Sequence, residues 1–374
     1  MPKFRFTEIA INSTEKKKPV EEDKFTYIGL EHLDSGTLTV SRWGSDIAPI
    51  GEKLVMKKGD VLFGKRRAYQ KKVGIAPFDG IFSAHGMVLR PREEVITKEY
   101  FPLFISSDYF LNEAIRISVG SLSPTVNWKD LKDLEFTIPS IEEQKRITPL
   151  IWAAIEAKNA YKEQIRCTDD LVKSQFIEMF ADEAKRVRLD ELCLHFGDGD
   201  WIESKDQSEE GIRLIQTGNV GNGEYKDKDD KARYISEETF IRLGCTEVFP
   251  GDILISRLPD PIGRACIVPE MPKSITAVDC TIVRLKADVL STFFVNFTKT
   301  PMYTMQIDSF TTGSTRKRIS RANLGSVMVP VPDLARQERF VSIAEQSDKS
   351  KFELQQAIEK VDNLIKSLIQ QDNN

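Results

Sequence analysis

The most regular pattern of apolar positions lies between residues 141 and 180. Apolar side chains recur there at alternating steps of three and four, and beyond Pro149 this stretch contains neither Pro nor Gly. A spacing of about 3.5 residues is typical of coiled-coil helices. The pattern returns 193 positions later in the chain. These two sets of positions, called the seams below, are Ile147, Ile151, Ala154, Lys158, Tyr161, Ile165, Thr168, Val172, Gln175 and Met179 in the first and Phe340, Ala344, Ser347, Lys351, Leu354, Ile358, Val361, Ile365 and Leu368 in the second.

The matching seams predict two long helices that pair with each other. Each helix would be about 50 Å long at a rise of about 1.5 Å per residue. Two unrelated surface helices are the alternative, but even the polar Lys158 has its counterpart in Lys351. We therefore expect an antiparallel coiled coil, with the remainder of each half at opposite ends and a pseudo-two-fold axis between them.

Short motifs outside the helices repeat in the same order and at nearly the same spacing. Each half has a Gly-Asp turn before an apolar β-type run, then a Gly-Ser loop, then a strand-like ending on Pro that precedes a Gln. The first set is Gly59-Asp60-Val61-Leu62, Gly120-Ser121, Ile138-Pro139 and Gln144, and the second is Gly251-Asp252-Ile253-Leu254, Gly313-Ser314, Val331-Pro332 and Gln337. The chain therefore carries an internal duplication.

The duplication predicts an α+β fold. Two mixed α/β domains are each followed by a long helix, and the two helices pair. The predicted segments are 1–140 for the first domain, 141–182 for the central helix, 183–334 for the second domain and 335–374 for the last helix.

The composition is that of a globular protein. The chain has 374 residues, 40% of them hydrophobic and 29% charged, which is enough for two domains. No apolar run approaches the roughly 18 residues of a membrane span, and the first residues lack an apolar secretion segment, so we expect a cytoplasmic protein without membrane contact. The five Cys and three His residues are scattered, which predicts reduced thiols and no metal site.

No catalytic constellation emerges from the residues. The stretch from Gly59 to Arg66 nearly matches a phosphate-binding P-loop, but Arg66 stands where a hydroxyl must ligate Mg²⁺. The stretch from Phe196 to Gly199 resembles a methyltransferase glycine loop, yet the acidic-aromatic tetrapeptide of a DNA amino-methyltransferase is missing. We expect no catalytic residues. A degenerate methyltransferase is the enzymatic alternative, and it predicts that the isolated chain binds S-adenosylmethionine.

The richest basic cluster follows the first Gly-Asp strand. Arg and Gln can read bases through paired hydrogen bonds, whereas Lys contacts phosphates. A solvated hairpin tip is the alternative for this cluster, and a structural turn is the alternative for the Gly-Ser loop. The DNA-binding candidates of the first half are Lys65, Arg66, Arg67, Tyr69, Gln70, Lys71 and Lys72, followed by Ser121 and Ser123.

The second half has fewer cations after its Gly-Asp strand and more around its Gly-Ser loop. Its DNA-binding candidates are Arg257, Arg264, Thr312, Ser314, Arg316, Lys317, Arg318 and Arg321. The formal net charge of the chain is -4, so any DNA contact must rest on local positive charge or on partners. The two halves share the same motifs but differ in the polar residues of their loops. This difference predicts that the two halves read different short sequences.

The ordered, duplicated motifs resemble those of the specificity subunits of type I restriction-modification systems. The resemblance spans nearly the whole chain and rests on the two motif sets given above, together with Glu143 before Gln144. One departure is Arg336, which stands where the first half has Glu143.

The resemblance implies two target-recognition domains that read the halves of a bipartite site in double-stranded DNA, with the helix pair setting the spacer. It also implies two modification (methyltransferase) subunits that bind S-adenosylmethionine and methylate adenine N6, and restriction subunits that use ATP and Mg²⁺ to translocate and cleave DNA. No cofactor is expected on this chain itself. The alternatives are a specificity subunit of another restriction class and a coiled-coil adaptor that does not bind DNA.

Overall fold

The computed structural model describes residues 2–313 and 317–370, with the side chain of residue 370 excepted. The helices are α1 (Phe6–Ile9), α2 (Phe101–Ser106), α3 (Asp108–Arg116), α4 (Trp128–Leu131), α5 (Ile141–Phe180), α6 (Glu237–Leu243), α7 (Ser291–Thr298), α8 (Pro301–Phe310), α9 (Arg321–Gly325) and α10 (Leu334–Gln370). The strands are β1 (Lys3–Arg5), β2 (Ala10–Ser13), β3 (Lys16–Lys17), β4 (Tyr27–Ile28), β5 (Lys53–Met56), β6 (Val61–Phe63), β7 (Val73–Ile75), β8 (Gly80–Phe82), β9 (Met87–Pro91), β10 (Glu135–Thr137), β11 (Arg186–Arg188), β12 (Cys193–Asp198), β13 (Ile212–Ile215), β14 (Tyr234–Ile235), β15 (Ile253–Ser256), β16 (Ala265–Ile267), β17 (Ser274–Thr276), β18 (Cys280–Leu285) and β19 (Met328–Pro330).

The chain divides into two compact units. Unit 1 comprises residues up to 161 together with those from 356 onward, and unit 2 comprises residues 162–355. The units group the residues differently from the four segments expected from the sequence, because each long helix is shared. Helix α5 begins in unit 1 and ends in unit 2, and α10 begins in unit 2 and ends in unit 1.

In unit 1, strands β2, β9, β6 and β7 form one sheet in that order, and β3, β5, β8 and β4 form another. Strand β1 pairs antiparallel with β10, which joins the start of the chain to the strand before α5. The core between the first sheet and helices α2 and α3 is rich in Phe, with Phe63, Phe104 and Phe110 buried and in edge-to-face contact.

Unit 2 repeats this plan. Strands β12, β18, β15 and β16 form the sheet that corresponds to the first sheet of unit 1, and β11 pairs antiparallel with β19 as β1 does with β10. A further sheet orders its strands β14, β13 and β17, with β13 and β17 parallel. The core again contains clustered aromatic rings, among them Phe176, Phe293 and Phe340.

The repeated Gly-Asp motif has the same structural task in both units. Gly59 and Gly251 adopt φ values of +90° and +87°, which favour Gly. The carboxylate of the Asp that follows forms a bidentate ion pair with an Arg. Asp60 accepts hydrogen bonds from Arg90 at 2.8 and 2.9 Å, and Asp252 accepts two from Arg284, both at 2.7 Å. The motif thus ties the turn before β6 or β15 to the neighbouring β9 or β18.

The repeated Gln is a buried connector between domain and helix. The Gln144 side-chain amide accepts from the Thr97 backbone and donates to the carbonyls of Val95 and Pro139, all within 2.9 Å. Gln337 makes the equivalent set of bonds with Leu290, Asp288 and Pro332, within 3.0 Å. Both Gln residues are fully buried, so these bonds satisfy every donor and acceptor that burial removes from water.

The long helices pair antiparallel. In unit 1 the first turns of α5, with Ile147 and Ile151, share a core with Ile369 near the end of α10. In unit 2 the last turns of α5, with Phe176 and Phe180, contact Phe340 near the start of α10. Each seam position is buried or partly buried, which is the burial expected of a coiled-coil seam.

The polar seam position is occupied by an interhelical ion pair in each unit. Lys158 of α5 donates to Asp362 of α10 at 2.5 Å in unit 1. Lys351 of α10 donates to Asp169 of α5 at 2.6 Å in unit 2. Lys158 and Lys351 are equivalent in the duplication, and so are Asp169 and Asp362.

Mixed α and β content, duplicated domains and paired long helices confirm the predicted fold class. Throughout the described part of the chain, each helix is too short or too polar to span a bilayer.

Candidate nucleic-acid interface

In unit 1 the predicted basic cluster lies against the predicted Gly-Ser loop. We call residues 64–72 and 119–126 the first loop pair. The Arg67 backbone N–H donates to the Pro124 carbonyl at 2.7 Å, and the Val126 N–H donates to the Lys65 carbonyl at 2.9 Å. These bonds hold two segments that are about 55 residues apart in the chain as one surface.

Arg66 and Arg67 are the exposed cations of this surface. The Arg67 Nε donates to Ser123 Oγ at 3.3 Å, which joins two predicted candidates across the loop pair. The Arg66 Nη1 lies 3.4 Å from His85 Nε2. Tyr69 is also exposed, whereas Gln70 is partly buried. Ser121 is exposed and Ser123 partly buried on the opposite loop.

Of the three Lys residues of the cluster, Lys71 and Lys72 have side-chain partners within unit 1. Lys71 donates to Asp108 at 2.6 Å, and this hydrogen bond lowers the pKa of the Asp108 carboxyl. Lys72 donates to the Leu30 carbonyl at 2.7 Å. Lys65 is half-buried, and burial followed by the charge of Lys16 lowers its pKa. Phosphate contacts by these Lys residues stay a prediction.

Sequence reasoning missed further cations beside the first loop pair. Strand β3 pairs with β5 so that Lys17 lies opposite Lys53. Burial lowers the pKa of His85, and the charges of Arg66, Lys65 and Lys53 lower it further. The run of three Lys residues at 16–18 was visible in the sequence. Its proximity to residue 65 depends on strand pairing, which a linear cluster does not reveal.

Unit 2 contains an equivalent arrangement, which we call the second loop pair: residues 257–264 together with the described residues 312, 313 and 317–321. The Ile319 N–H donates to the Arg257 carbonyl at 3.3 Å, as Val126 does to Lys65 in unit 1. Thr312 and Arg318 exchange backbone hydrogen bonds at 3.1 and 3.0 Å, as Val119 and Thr125 do. The two loop pairs therefore share a backbone frame.

The side chains on the two frames differ. Arg257 is largely buried, with Nη2 donating to the Val278 carbonyl at 2.7 Å and Nε 3.5 Å from the Asp198 carboxylate. Arg264 is buried and donates to four backbone carbonyls, those of Thr217, Val220, Leu258 and Pro261. This burial leaves Arg264 without a face for a nucleic acid, so we omit it from the proposed surface.

The exposed cations of the second loop pair lie on its later segment. Lys317 and Arg318 are exposed, and Thr312 is exposed beside them. Arg321 is about half-exposed, and its Nη1 lies 3.7 Å from the Asp198 carboxylate. The candidates Ser314 and Arg316 lie outside the described residues. This surface offers guanidinium, ammonium and hydroxyl groups, which suit phosphates and base edges.

Metal-binding clusters and thiols are the other groups considered in the described residues. There, no group of three or more His, Cys, Asp or Glu side chains is placed to hold a metal ion. Burial raises the pKa of Cys266 to about 12, so this thiol stays protonated.

Comparison with known protein families identifies the family of the chain that carries these two surfaces. The family model described as type I restriction modification DNA specificity domain matches residues 6–166 and again residues 181–361. The chain belongs to this family. The two matched segments make it a protein with two type I DNA specificity domains, one for each half of the duplication. A coiled-coil adaptor without DNA binding gains no support from this match.

The match to an individual relative covers less of the chain than the match to the family model. The type I restriction enzyme EcoDI specificity subunit of Escherichia coli is 25% identical over 146 residues, which cover 38% of this chain and 32% of that subunit. The match thus spans about a third of this curated relative.

Solved structures share the fold over nearly the full length. A chain from work described as the structural basis of complex assembly and conformational transition of the type I R-M system has a TM-score of 0.60 at 20% identity, covering 99% of this chain and 97% of that chain. The type I restriction-modification S subunit from M. genitalium has a TM-score of 0.50 at 16% identity, covering 98% of this chain and 96% of that chain.

Proposed function

We propose that this protein is the non-catalytic DNA-recognition subunit of a type I restriction-modification complex. Unit 1 reads one half of a bipartite target in double-stranded DNA through the first loop pair. Unit 2 reads the other half through the second loop pair. Helices α5 and α10 fix the number of unread base pairs between the half-sites.

The repeated loop pair is the observation that carries this proposal. In each unit an equivalent backbone hydrogen bond joins the Gly-Ser loop to the loop after the Gly-Asp strand, from Val126 to Lys65 in unit 1 and from Ile319 to Arg257 in unit 2. The exposed side chains nevertheless differ: Arg66 and Arg67 on the first pair, Lys317 and Arg318 on the second. Equal frames with unequal side chains are what two different short sequences require, because base edges are read by specific hydrogen-bonding groups.

Partner subunits supply the chemistry in this proposal. Two modification subunits bind S-adenosylmethionine and methylate adenine N6, and restriction subunits use ATP and Mg²⁺ for translocation and cleavage. The long helices carry exposed apolar side chains away from their seams, namely Leu150, Leu171 and Phe352. Exposed large apolar groups on a helix suit protein docking, and we assign them to the modification subunits.

The test is selection from a randomised DNA library with the chain co-purified with its modification subunits. We expect two short defined blocks separated by a fixed unread gap. The double variant Arg66→Ala/Arg67→Ala should weaken the sequence preference in only one block. Its matched counterpart in unit 2, Lys317→Ala/Arg318→Ala, should weaken the sequence preference in only the other block. Failure to enrich any sequence with the complex intact would overturn the proposal, and so would loss of the same block in both variants.

A further inference from the structure

The tip of the Gly-Ser loop in unit 1 carries an apolar side chain in open solvent. Leu122 is 90% exposed, between Ser121 and Ser123. A single exposed Leu on a protein surface is ordinary. This one stands out by its position, because it projects from the loop that bonds directly to the segment of Arg66 and Arg67.

The loop that carries Leu122 is braced from both sides. Its ends are closed by a reciprocal pair of backbone hydrogen bonds between Val119 and Thr125, each 3.0 Å long. The Thr125 hydroxyl donates to the Ser123 carbonyl at 3.1 Å. Gly120, with φ at +115°, permits the sharp turn that brings the tip outward. Bracing of this kind lowers the entropy that the tip would lose on binding.

A leucine side chain neither donates nor accepts hydrogen bonds, so it gains nothing from a phosphate or from a polar base edge. The apolar group that the major groove presents is the C5 methyl of thymine. The same groove offers the guanine edge to which Arg side chains bind. Arg67 bonds to Ser123 and Pro124, the two residues that follow Leu122 in the loop. An apolar tip on this loop can therefore reach the same groove as the Arg67 side chain.

We propose that Leu122 is a specificity-determining residue that contacts the C5 methyl of a thymine in the half-site of unit 1. This inference rests on the proposed function of unit 1 as a reader of one half-site. The corresponding tip residue of the second half, at the same offset as the Gly-Ser motif, is Thr315, which lies outside the described residues. The two halves thus differ in side-chain polarity at this position of the chain.

The experiment replaces Leu122 with the residue of the second half. Leu122→Thr is compared with Ile47→Thr, its matched control, because Ile47 is also an exposed aliphatic residue of unit 1 (69%) and lies outside the first loop pair. Each variant is co-purified with the modification subunits, and its binding to the site selected by the natural chain is measured. Each thymine of the unit 1 half-site is then replaced in turn by deoxyuridine, which lacks the C5 methyl.

For the natural chain, one deoxyuridine replacement should weaken binding about fourfold, the value expected for loss of one buried methyl group. Leu122→Thr should weaken binding to the thymine site roughly five- to tenfold, and the deoxyuridine replacement should then have no further effect. The affinity of Ile47→Thr for the selected site, and the affinity of each variant for unrelated DNA, should change less than about twofold. The salt dependence should stay unchanged, because no charge is altered.

Three outcomes would overturn the inference: equal losses in Leu122→Thr and Ile47→Thr, no loss in Leu122→Thr, or a loss that no deoxyuridine replacement reproduces. The last of these would indicate insertion between base pairs, or another apolar contact. If the natural chain selects no site at all, the proposed function fails first, so the two failures are distinguishable.

Discussion

Arginine residues of this protein illustrate how one residue type serves two purposes. Arg264 donates to four carbonyls inside unit 2, and burial lowers the pKa of its guanidinium. Arg90 and Arg284 close the Gly-Asp turns through ion pairs. Arg66 and Arg67 are exposed on the first loop pair. The guanidinium group is the same in each case. The number of protein hydrogen-bond acceptors around it decides whether it stabilises the fold or lies exposed to solvent.

At His85 the structure predicts a proton-linked component of DNA binding. In the free protein, burial and then the charges of Arg66, Lys65 and Lys53 lower its pKa below its usual value near 6.5. DNA phosphates beside these cations would raise the pKa of His85 in the complex. Binding should therefore take up a proton, so affinity should rise as the pH falls through the bound-state pKa and level off below the free-state pKa.

The measurement is DNA affinity of the complex with its modification subunits between pH 8 and pH 5.5 at constant ionic strength. A rise of one unit in pKa corresponds to about tenfold in affinity at low pH. His85→Gln keeps a polar side chain beside Arg66 and should flatten this component of the profile. An unchanged profile in His85→Gln would show that His85 does not couple binding to protons.

At the scale of elements, the two long helices are aligned by charge as well as by apolar contact. Lys158 with Asp362 and Lys351 with Asp169 place opposite charges at equivalent positions of the duplication. The Lys side chains are about a fifth exposed and the Asp side chains about two fifths. Solvent therefore screens each pair, which favours a modest stabilisation and a clear preference for register.

Reversing one residue of a pair should destabilise the helix pairing, and reversing both should restore it. We expect Lys158→Asp to lower the free energy of unfolding by about 1 kcal/mol, because Asp would then face Asp362. The exchange Lys158→Asp/Asp362→Lys should recover more than half of that loss. Urea unfolding of the four members of this cycle measures the coupling, and 1 M salt should diminish it.

The equivalent cycle at Lys351 and Asp169 is the internal control, because it places the same chemistry at the matching position of the duplication. A double variant no more stable than the sum of its two single variants would mean that apolar seam contacts alone align the helices.

At the scale of the whole molecule, the two compact units differ in how they use the chain. Unit 2 is continuous in sequence, whereas unit 1 is completed by the last turns of α10. The net charge of -4 is distributed so that exposed cations remain at both loop pairs. DNA binding therefore rests on local charge, and the chain as a whole does not need to be basic.

The shared helices predict how target spacing can be changed. Inserting seven residues in register into both α5, after Tyr161, and α10, after Gln355, adds about 10 Å to each helix. We expect the unread gap to lengthen by about three base pairs and both half-sites to stay unaltered. Library selection with the complex measures both quantities. Insertion into α5 alone is the control. It shifts the seam of α5 relative to that of α10 on one side of the insertion, so the two helices should fail to pair along their full length.

Altered half-sites with an unchanged gap would contradict the role of the helices as a spacer.

The sequence by itself determined the duplication, the seams of α5 and α10 and the fold class. Those features depend on local periodicity and on motifs that occur twice, so a single chain suffices to reveal them. Gly59 and Gly251 precede buried Asp residues for the same reason in both halves: a left-handed turn followed by an ion pair. Gln144 and Gln337 likewise recur in the first turn of α5 and α10, where each side chain has three backbone partners.

Only the tertiary structure decided which cations face solvent. Arg264 and Arg66 each follow a Gly-Asp strand, yet Arg264 meets carbonyls from residues more than 40 positions earlier in the chain. Lys17 and Lys53 come together through strand pairing, and Ser123 meets Arg67 across 56 positions. Exposure and proximity are set by long-range backbone hydrogen bonds, and no local pattern of residue types encodes them.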